Sequence, residues 1–133
     1  MIPPFNHHGY LPPGIHVATL EEVIASFGQG SEQREAQGQS LLWLIPLCRA
    51  AHICKLLIDG SFISDRLEPN DVDCALLQGS GYSAISPAAA ELRAGLPFLE
   101  IRIVKQDEYN FLSEVFFASD RDMIPKGMLE VVI

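Results

Sequence analysis

The sequence predicts an α+β domain, in which a small mixed sheet of about four strands is covered by helices mainly on one face. Apolar residues recur at helical spacing in some segments, and apolar runs of strand length occur between those segments. No repeat, coiled coil or low-complexity segment interrupts this pattern. The chain has 133 residues, of which 48% are hydrophobic and 20% charged, so it is long and apolar enough for one domain with its own core. We therefore treat residues 1–133 as a single domain.

The N-terminal segment, residues 1–18, is predicted to be an irregular arm. Two proline pairs, Pro3-Pro4 and Pro12-Pro13, remove backbone hydrogen-bond donors and favour extended backbone. The regular elements are therefore expected to begin after the arm.

A first helix is predicted over residues 20–27. Thr19 and Glu22 have the spacing of a capping box, in which each side chain bonds the backbone N–H of the other residue. Apolar residues then follow at helical spacing, and Gly28 lies where a helix commonly ends.

A second helix is predicted to begin at Ser31 and to lead almost directly into a strand over residues 54–59. Ser31 is a favourable N-cap, and an apolar stripe at helical spacing continues as far as Ala51. Pro46 falls inside this stripe. We expect it to kink or split the helix because it removes one backbone hydrogen bond.

The second half of the chain predicts two further helices and three further strands. A second apolar run predicts a strand that begins at Asp71 and ends at Leu77. Pro87 suits the first turn of a helix, and the segment after Leu99 alternates polar and apolar residues, as a strand with one solvated face does. The remaining elements are a helix over 87–94, a strand over 98–104, a helix over 107–118 and a closing strand over 128–133. Within 107–118, Val115-Phe116-Phe117 is also compatible with a strand.

The charge of the chain argues against broad nucleic-acid binding. Its net charge is −8 and its pI is near 4.8, and the nine Lys and Arg residues are scattered without a cluster. Proteins that bind nucleic acids through the phosphates usually carry a basic stripe. A single nucleotide with its own metal ions remains compatible with this charge. Lys126 could reach a phosphate, but we interpret it as a solvated charge.

The composition predicts a cytoplasmic protein without a membrane span. The longest apolar segment, Leu41 to Cys48, contains a proline and is too short to cross a bilayer, and no signal peptide is visible. The three cysteines are an odd number without CxxC spacing, which indicates reduced and mostly buried thiols.

The central stretch, residues 54–77, carries the residues with the most specific chemistry. Gly60-Ser61 follows the first apolar strand. Gly60 has no Cβ, so a phosphate can approach its backbone closely. If a short helix begins after Ser61, its free N–H groups and the Ser61 hydroxyl form an anion site.

A carboxylate pair follows after nine residues, as Asp71-Val72-Asp73. Two positions apart on a strand, Asp71 and Asp73 project from the same face, about 7 Å apart at the backbone. Glu100 supplies a third acid if its strand lies beside theirs. Such a cluster suits Mg²⁺, which is bound by oxygen and completed by substrate phosphates. The alternative is an ordinary strand exit followed by a turn with exposed acids.

Gly60-Ser61, nine residues and Asp71-Val72-Asp73 together resemble the signature of the DNA polymerase β-like nucleotidyltransferase superfamily, especially its minimal bacterial members. The resemblance implies transfer of a nucleoside monophosphate (NMP) from a nucleoside triphosphate (NTP) to an acceptor hydroxyl, which could belong to a protein, with two Mg²⁺ or Mn²⁺ ions. It implies a nucleotidyltransferase-like fold. It also implies that Ser61 contacts the triphosphate, that Asp71 and Asp73 hold metal, and that Glu100 takes the place of the third acid.

Two departures from the superfamily pattern concern catalysis. Minimal members often carry Arg shortly after Gly-Ser, whereas Phe62-Ile63 stands there and Arg66 is the nearest replacement. The third acid is usually Asp, and Glu100 is longer by one methylene. The alternative function is therefore a catalytically degenerate nucleotidyltransferase fold that acts as a nucleotide- or protein-binding module, such as an antitoxin-like partner. A narrower resemblance, to uncharacterised bacterial proteins related to these enzymes, is carried by segments 9–16, 59–62, 69–73 and 125–130.

Overall fold

The computed structural model describes residues 1–133 and contains one five-stranded mixed sheet. The strands are β1 (Gly14–Val17), β2 (Ile53–Asp59), β3 (Val72–Gln78), β4 (Leu99–Val104) and β5 (Gly127–Val132). Their order across the sheet is β1-β5-β2-β3-β4. β2 is antiparallel to β3 and β5, whereas β4 is parallel to β3 and β1 is parallel to β5. The predicted α+β class is confirmed, but the sheet has five strands where about four were expected.

Four α-helices accompany the sheet, and none of them combines the length and the apolar composition that crossing a membrane requires. They are α1 (Leu20–Phe27), α2 (Glu32–Ala50), α3 (Pro87–Ala94) and α4 (Gln106–Phe111). The predicted bounds of α1 and α3 are confirmed. The expected helix over 107–118 is shorter, because α4 passes into a single turn of π-helix, Leu112–Phe116.

The capping box of α1 forms as predicted. The Thr19 hydroxyl accepts from the Glu22 N–H at 3.1 Å, and the Glu22 carboxylate accepts from the Thr19 N–H at 3.0 Å. Gly28 ends the helix. These are local signals, so the sequence alone is enough to place α1.

Pro46 does not split α2, which runs without a break for 19 residues. The carbonyl that Pro46 leaves without a partner belongs to Leu42, four residues earlier, and Leu42 is 45% exposed. That carbonyl therefore lies on the solvent side of the helix. Leu44 and Cys48 on the opposite side are fully buried and hold the helix against the core.

β1 corrects the prediction that residues 1–18 form only an irregular arm. Gly14–Val17 pairs in parallel with Gly127–Glu130 at the edge of the sheet. Three of the four β1 residues are exposed, so the strand lacks the alternation by which a half-buried strand is recognised. Its position depends on pairing with β5, which is more than 100 residues away in sequence.

The two faces of the sheet are covered differently. Cys74 on β3 projects from the face opposite to Asp73, and it is buried in the same core as Cys48 of α2, which packs against β2 and β4. Burial raises the pKa of the Cys74 thiol, and Asp73 and Cys48 raise it further. α1 and α3 pack against α2. On the opposite face, the Tyr109 hydroxyl of α4 donates to Glu130 Oε2 at 2.5 Å. α4 therefore lies on this second face. All three cysteines are free, and two of them are buried.

Candidate functional site

A row of three carboxylates runs from the central strand β2 across β3 to the edge strand β4, at one end of these strands. Asp59 on β2 pairs in register with Asp73 on β3, and Asp73 pairs in register with Glu100 on β4. Residues paired in this way project from the same face, and neighbouring strands are about 4.8 Å apart. We call Asp59, Asp73 and Glu100 the acid row. Asp71 lies one residue before β3 and is exposed beside it.

The acid row lines a cavity of about 970 Å³. All six residues predicted to form the site line this cavity. They are Gly60, Ser61, Arg66, Asp71, Asp73 and Glu100. The structure therefore brings the predicted residues together, including Glu100, whose strand lies directly beside β3. Their roles stay predictions.

The Gly60-Ser61 turn differs from the predicted phosphate turn in one respect. Ser61 begins a 3₁₀ turn of only three residues, Ser61–Ile63, and not a longer helix with a dipole of its own. The Ser61 hydroxyl accepts from the Asn70 N–H at 2.7 Å, so its proton remains available as a donor. Gly60 has φ +94°, and a Cβ there would lie 2.7 Å from Asp73 Oδ2. A glycine is therefore required for the turn to pass the acid row.

Arg34 on α2 holds the segment after the turn and was not among the residues predicted from sequence. Its side chain is buried, and its guanidinium donates to three backbone carbonyls within residues 62–66 and to one at the end of α1. The acceptors are Phe62 O at 2.7 Å, Ser64 O at 2.9 Å, Phe27 O at 3.1 Å and Arg66 O. Gln37, one turn later, donates to Asn70 O at 2.7 Å. Both lie on the apolar stripe of α2, which is the signal that could have found them.

Lys126, just before β5, is not the solvated charge that the sequence suggests. Its ammonium donates to both carboxylate oxygens of Asp59 at 2.6 Å. The side chains of Lys126 and Asp59 are 12% and 5% exposed. Their pairing joins residues 67 positions apart, so no local pattern indicates it. The acid row thus receives one fixed cation from the protein itself.

Asp73 and Glu100, the other two members of the acid row, form no ion pair in the protein. Of its three ion pairs, one joins Lys126 to Asp59 and the other two lie outside the acid row. Burial, first, and then Glu100 and Asp59 raise the pKa of Asp73 to about 6. Burial also raises the pKa of Asp59, although Lys126 opposes this. A further cation would therefore stabilise this end of the sheet.

The donor chemistry of Asp71, Asp73 and Glu100 fits a divalent ion such as Mg²⁺ or Mn²⁺, because all their donor atoms are oxygens. In this structure no three acidic, histidine or cysteine side chains converge closely enough to form a metal site. These carboxylates would have to turn toward one another to bind an ion together.

Replacing Asp73 with asparagine is expected to stabilise the metal-free protein by about 1–2 kcal/mol at about pH 8, which allows for partial solvent screening. The pKa of Asp73 rises from 3.8 to about 6 on folding, so the folded state binds this proton more tightly. The Asp73 charge therefore begins to reduce stability as the pH rises above about 4 and reaches its full effect above about 6. Urea unfolding at about pH 4 and at about pH 8 measures the gain in stability.

Asp122→Asn is the matched control for Asp73→Asn, because Asp122 is exposed and outside the acid row. We expect Asp73→Asn to have little effect near pH 4 and its full effect at pH 8, and Asp122→Asn to change stability by less than about 0.5 kcal/mol at either pH. An Asp73→Asn gain that does not vary with pH would contradict the explanation by charge.

The fold and this site define an α+β protein with a carboxylate-lined cavity at one end of a mixed sheet. The chain belongs to the Family of unknown function (DUF6932), whose model matches residues 3–132. No curated protein and no solved structure matches the chain. The family name assigns no activity, so a functional conclusion has to rest on the geometry of the site.

Proposed function

We propose that the protein is a metal-dependent nucleotidyltransferase that transfers NMP from an NTP to an acceptor hydroxyl, which could belong to a protein. The observation that carries this proposal is the register of the acid row beside the glycine turn. Asp73 and Glu100 are direct neighbours across β3 and β4, and Gly60 is packed against Asp73. This geometry supports the proposal because phosphate binding and metal binding would then take place in one cavity.

The metal would be held by Asp71, Asp73 and Glu100, whose carboxylates supply oxygen ligands. Bound Mg²⁺ or Mn²⁺ would supply charge neutralisation at the phosphates and activation of the attacking hydroxyl. The register of β3 with β4 fixes the separation between Asp73 and Glu100, which keeps both carboxylates on one face.

The phosphate chain would lie along the Gly60-Ser61 turn. The Ser61 hydroxyl can donate to a phosphate oxygen while it accepts from Asn70. Arg66 lines the same cavity and carries no ion pair. The cavity is of the size that small-molecule and cofactor sites have, about 300–1,000 Å³.

Calorimetric titration with ATP, CTP, GTP and UTP tests the proposal. We expect at least one NTP to bind with Mg²⁺ or Mn²⁺ and none to bind in EDTA. Asp71→Asn/Asp73→Asn is expected to weaken that binding by about 100-fold or more, because two charged ligands are lost. Glu91→Gln, at an exposed carboxylate of α3 that does not line the cavity, keeps both ligands and is the control.

Turnover is measured separately, from pyrophosphate release and from transfer of an α-labelled NMP group to protein. Metal-dependent binding with release of pyrophosphate supports the nucleotidyltransferase. Binding without turnover supports the alternative, a nucleotide-binding module with a degenerate site. No heat with any NTP and either metal, beside an active control enzyme, would overturn the proposal.

A further inference from the structure

The segment from Ser119 to Lys126 forms a loop beside the acid row, and we call it the 119–126 loop. It is closed by an isolated bridge between Ser119 and Pro125. Inside it, Asp120 Oδ1 accepts from the N–H groups of Asp122 and Ile124 at 2.9 and 3.0 Å. These bonds give the loop a defined backbone shape.

Two further bonds fix the 119–126 loop to the rest of the protein. The Tyr10 hydroxyl donates to Asp120 Oδ2 at 2.6 Å, and Lys126 pairs with Asp59. One bond comes from the N-terminal segment and the other from the end of β2. The position of the loop relative to the acid row is therefore set on both sides of Arg121.

Arg121 stands next to Asp120 and lines the 970 Å³ cavity. It also lines an adjoining cavity of about 580 Å³, together with Asp71, Asp73 and Glu100. Although it faces this many carboxylates, Arg121 forms no ion pair in the protein. Its guanidinium is exposed, so its donors remain available to an anion.

The other cations near the cavity are engaged more fully. The donors of Arg34 are used by backbone carbonyls, and Lys126 is held by Asp59. The Arg102 guanidinium lies 5.4 Å from the centre of the Phe116 ring. Arg121 and Arg66 also line the cavity, and neither is held by a carbonyl, a carboxylate or an aromatic ring in this way.

We propose that Arg121 binds a phosphate of the NTP, which makes the 119–126 loop part of the triphosphate site. The inference rests on the proposed function. A triphosphate that enters this cavity meets seven carboxylates and needs positive charge from the protein as well as from the metal. The planar guanidinium suits phosphate oxygens, which it can bind through two parallel hydrogen bonds. Arg121 therefore supplies positive charge from the side of the cavity that the 119–126 loop forms.

Calorimetric titration of the full chain with Mn²⁺ and each NTP tests this role in Arg121→Gln. The expected loss of NTP affinity is about tenfold to hundredfold, as for one charged hydrogen-bonding group. Affinity for Mn²⁺ alone is expected not to weaken, since Arg121 binds phosphate and not metal. A merely structural role would weaken both. Arg93→Gln, an exposed arginine of α3 that lines neither cavity, is the matched control and should leave both affinities unchanged.

A second variant, Arg121→Glu, is expected to weaken NTP binding further than Arg121→Gln, because it places a negative charge at the phosphate. If the wild type binds an NTP and both Arg121 variants bind it equally well, this inference is overturned and the proposed function stands. If Arg121→Gln loses Mn²⁺ affinity in parallel with NTP affinity, Arg121 is structural and the inference is also overturned. If the wild type binds no NTP at all, the inference and the proposed function are overturned together.

Discussion

Replacing Lys126 with methionine is expected to destabilise the protein by about 3–5 kcal/mol, because it leaves a buried carboxylate without its cation. The Asp59 side chain is 5% exposed, and both of its oxygens accept from the Lys126 ammonium. Burial already raises the pKa of Asp59 against the effect of Lys126, so loss of the ammonium will raise it further. Urea unfolding near neutral pH measures the loss.

Two comparisons separate the lost ion pair from lost packing. Asp59→Asn/Lys126→Met removes both charges and is expected to recover at least about half of the lost stability, because no charge is then left buried alone. In the single variant the loss should shrink as the pH falls, since protonated Asp59 no longer needs a cation. Lys105→Met, at an exposed lysine, is the control. Equal stabilities of the single and double variants would contradict the ion-pair explanation.

Replacing Arg34 with methionine is expected to cost about 4 kcal/mol, in the range of the most damaging single substitutions. Four backbone carbonyls lose their donor, and at least those of Phe62 and Ser64 belong to buried residues. The segment after Gly60 would lose its attachment to α2. Hydrogen exchange at residues 61–66, measured together with urea unfolding, locates the damage.

Arg34→Lys keeps the charge but is expected to lose most of the same stability, since an ammonium cannot reproduce the fork of a guanidinium. Arg49→Met is the matched control, because Arg49 is exposed on the same helix and makes no side-chain hydrogen bond to a carbonyl. If Arg34→Lys were as stable as the wild type, charge alone and not the set of directed hydrogen bonds would account for the role of Arg34.

The parts of the fold that local chemistry determines were predictable from the sequence. α1 follows from the capping box of Thr19 and Glu22, and α3 from Pro87 at its start. The cavity residues from Gly60 to Asp73 were predictable for the same reason, since their spacing is fixed within one stretch. Glu100 needed one further assumption, that its strand lies beside β3. The structure confirms this, because β4 pairs with β3.

The parts that depend on distant residues were not predictable. β1 exists only through its pairing with β5, and Asp59 joins the acid row only through the register of β2 with β3. Lys126 resembles a surface lysine until β5 places it against Asp59. No single-sequence pattern carries such pairings, because each depends on the finished sheet.

The position of β5 in the interior of the sheet has a consequence for the order of folding. β5 lies between β1 and β2, although it follows every other strand in the chain. Contacts at such separations, 67 positions for Lys126 with Asp59 and 110 for Tyr10 with Asp120, are expected to form late because closing long loops costs entropy. A sheet of β2, β3 and β4 alone would hold the acid row without its lysine. We therefore expect the pairing of β5 with β2 to bring Lys126 to Asp59 and to provide the edge on which β1 pairs.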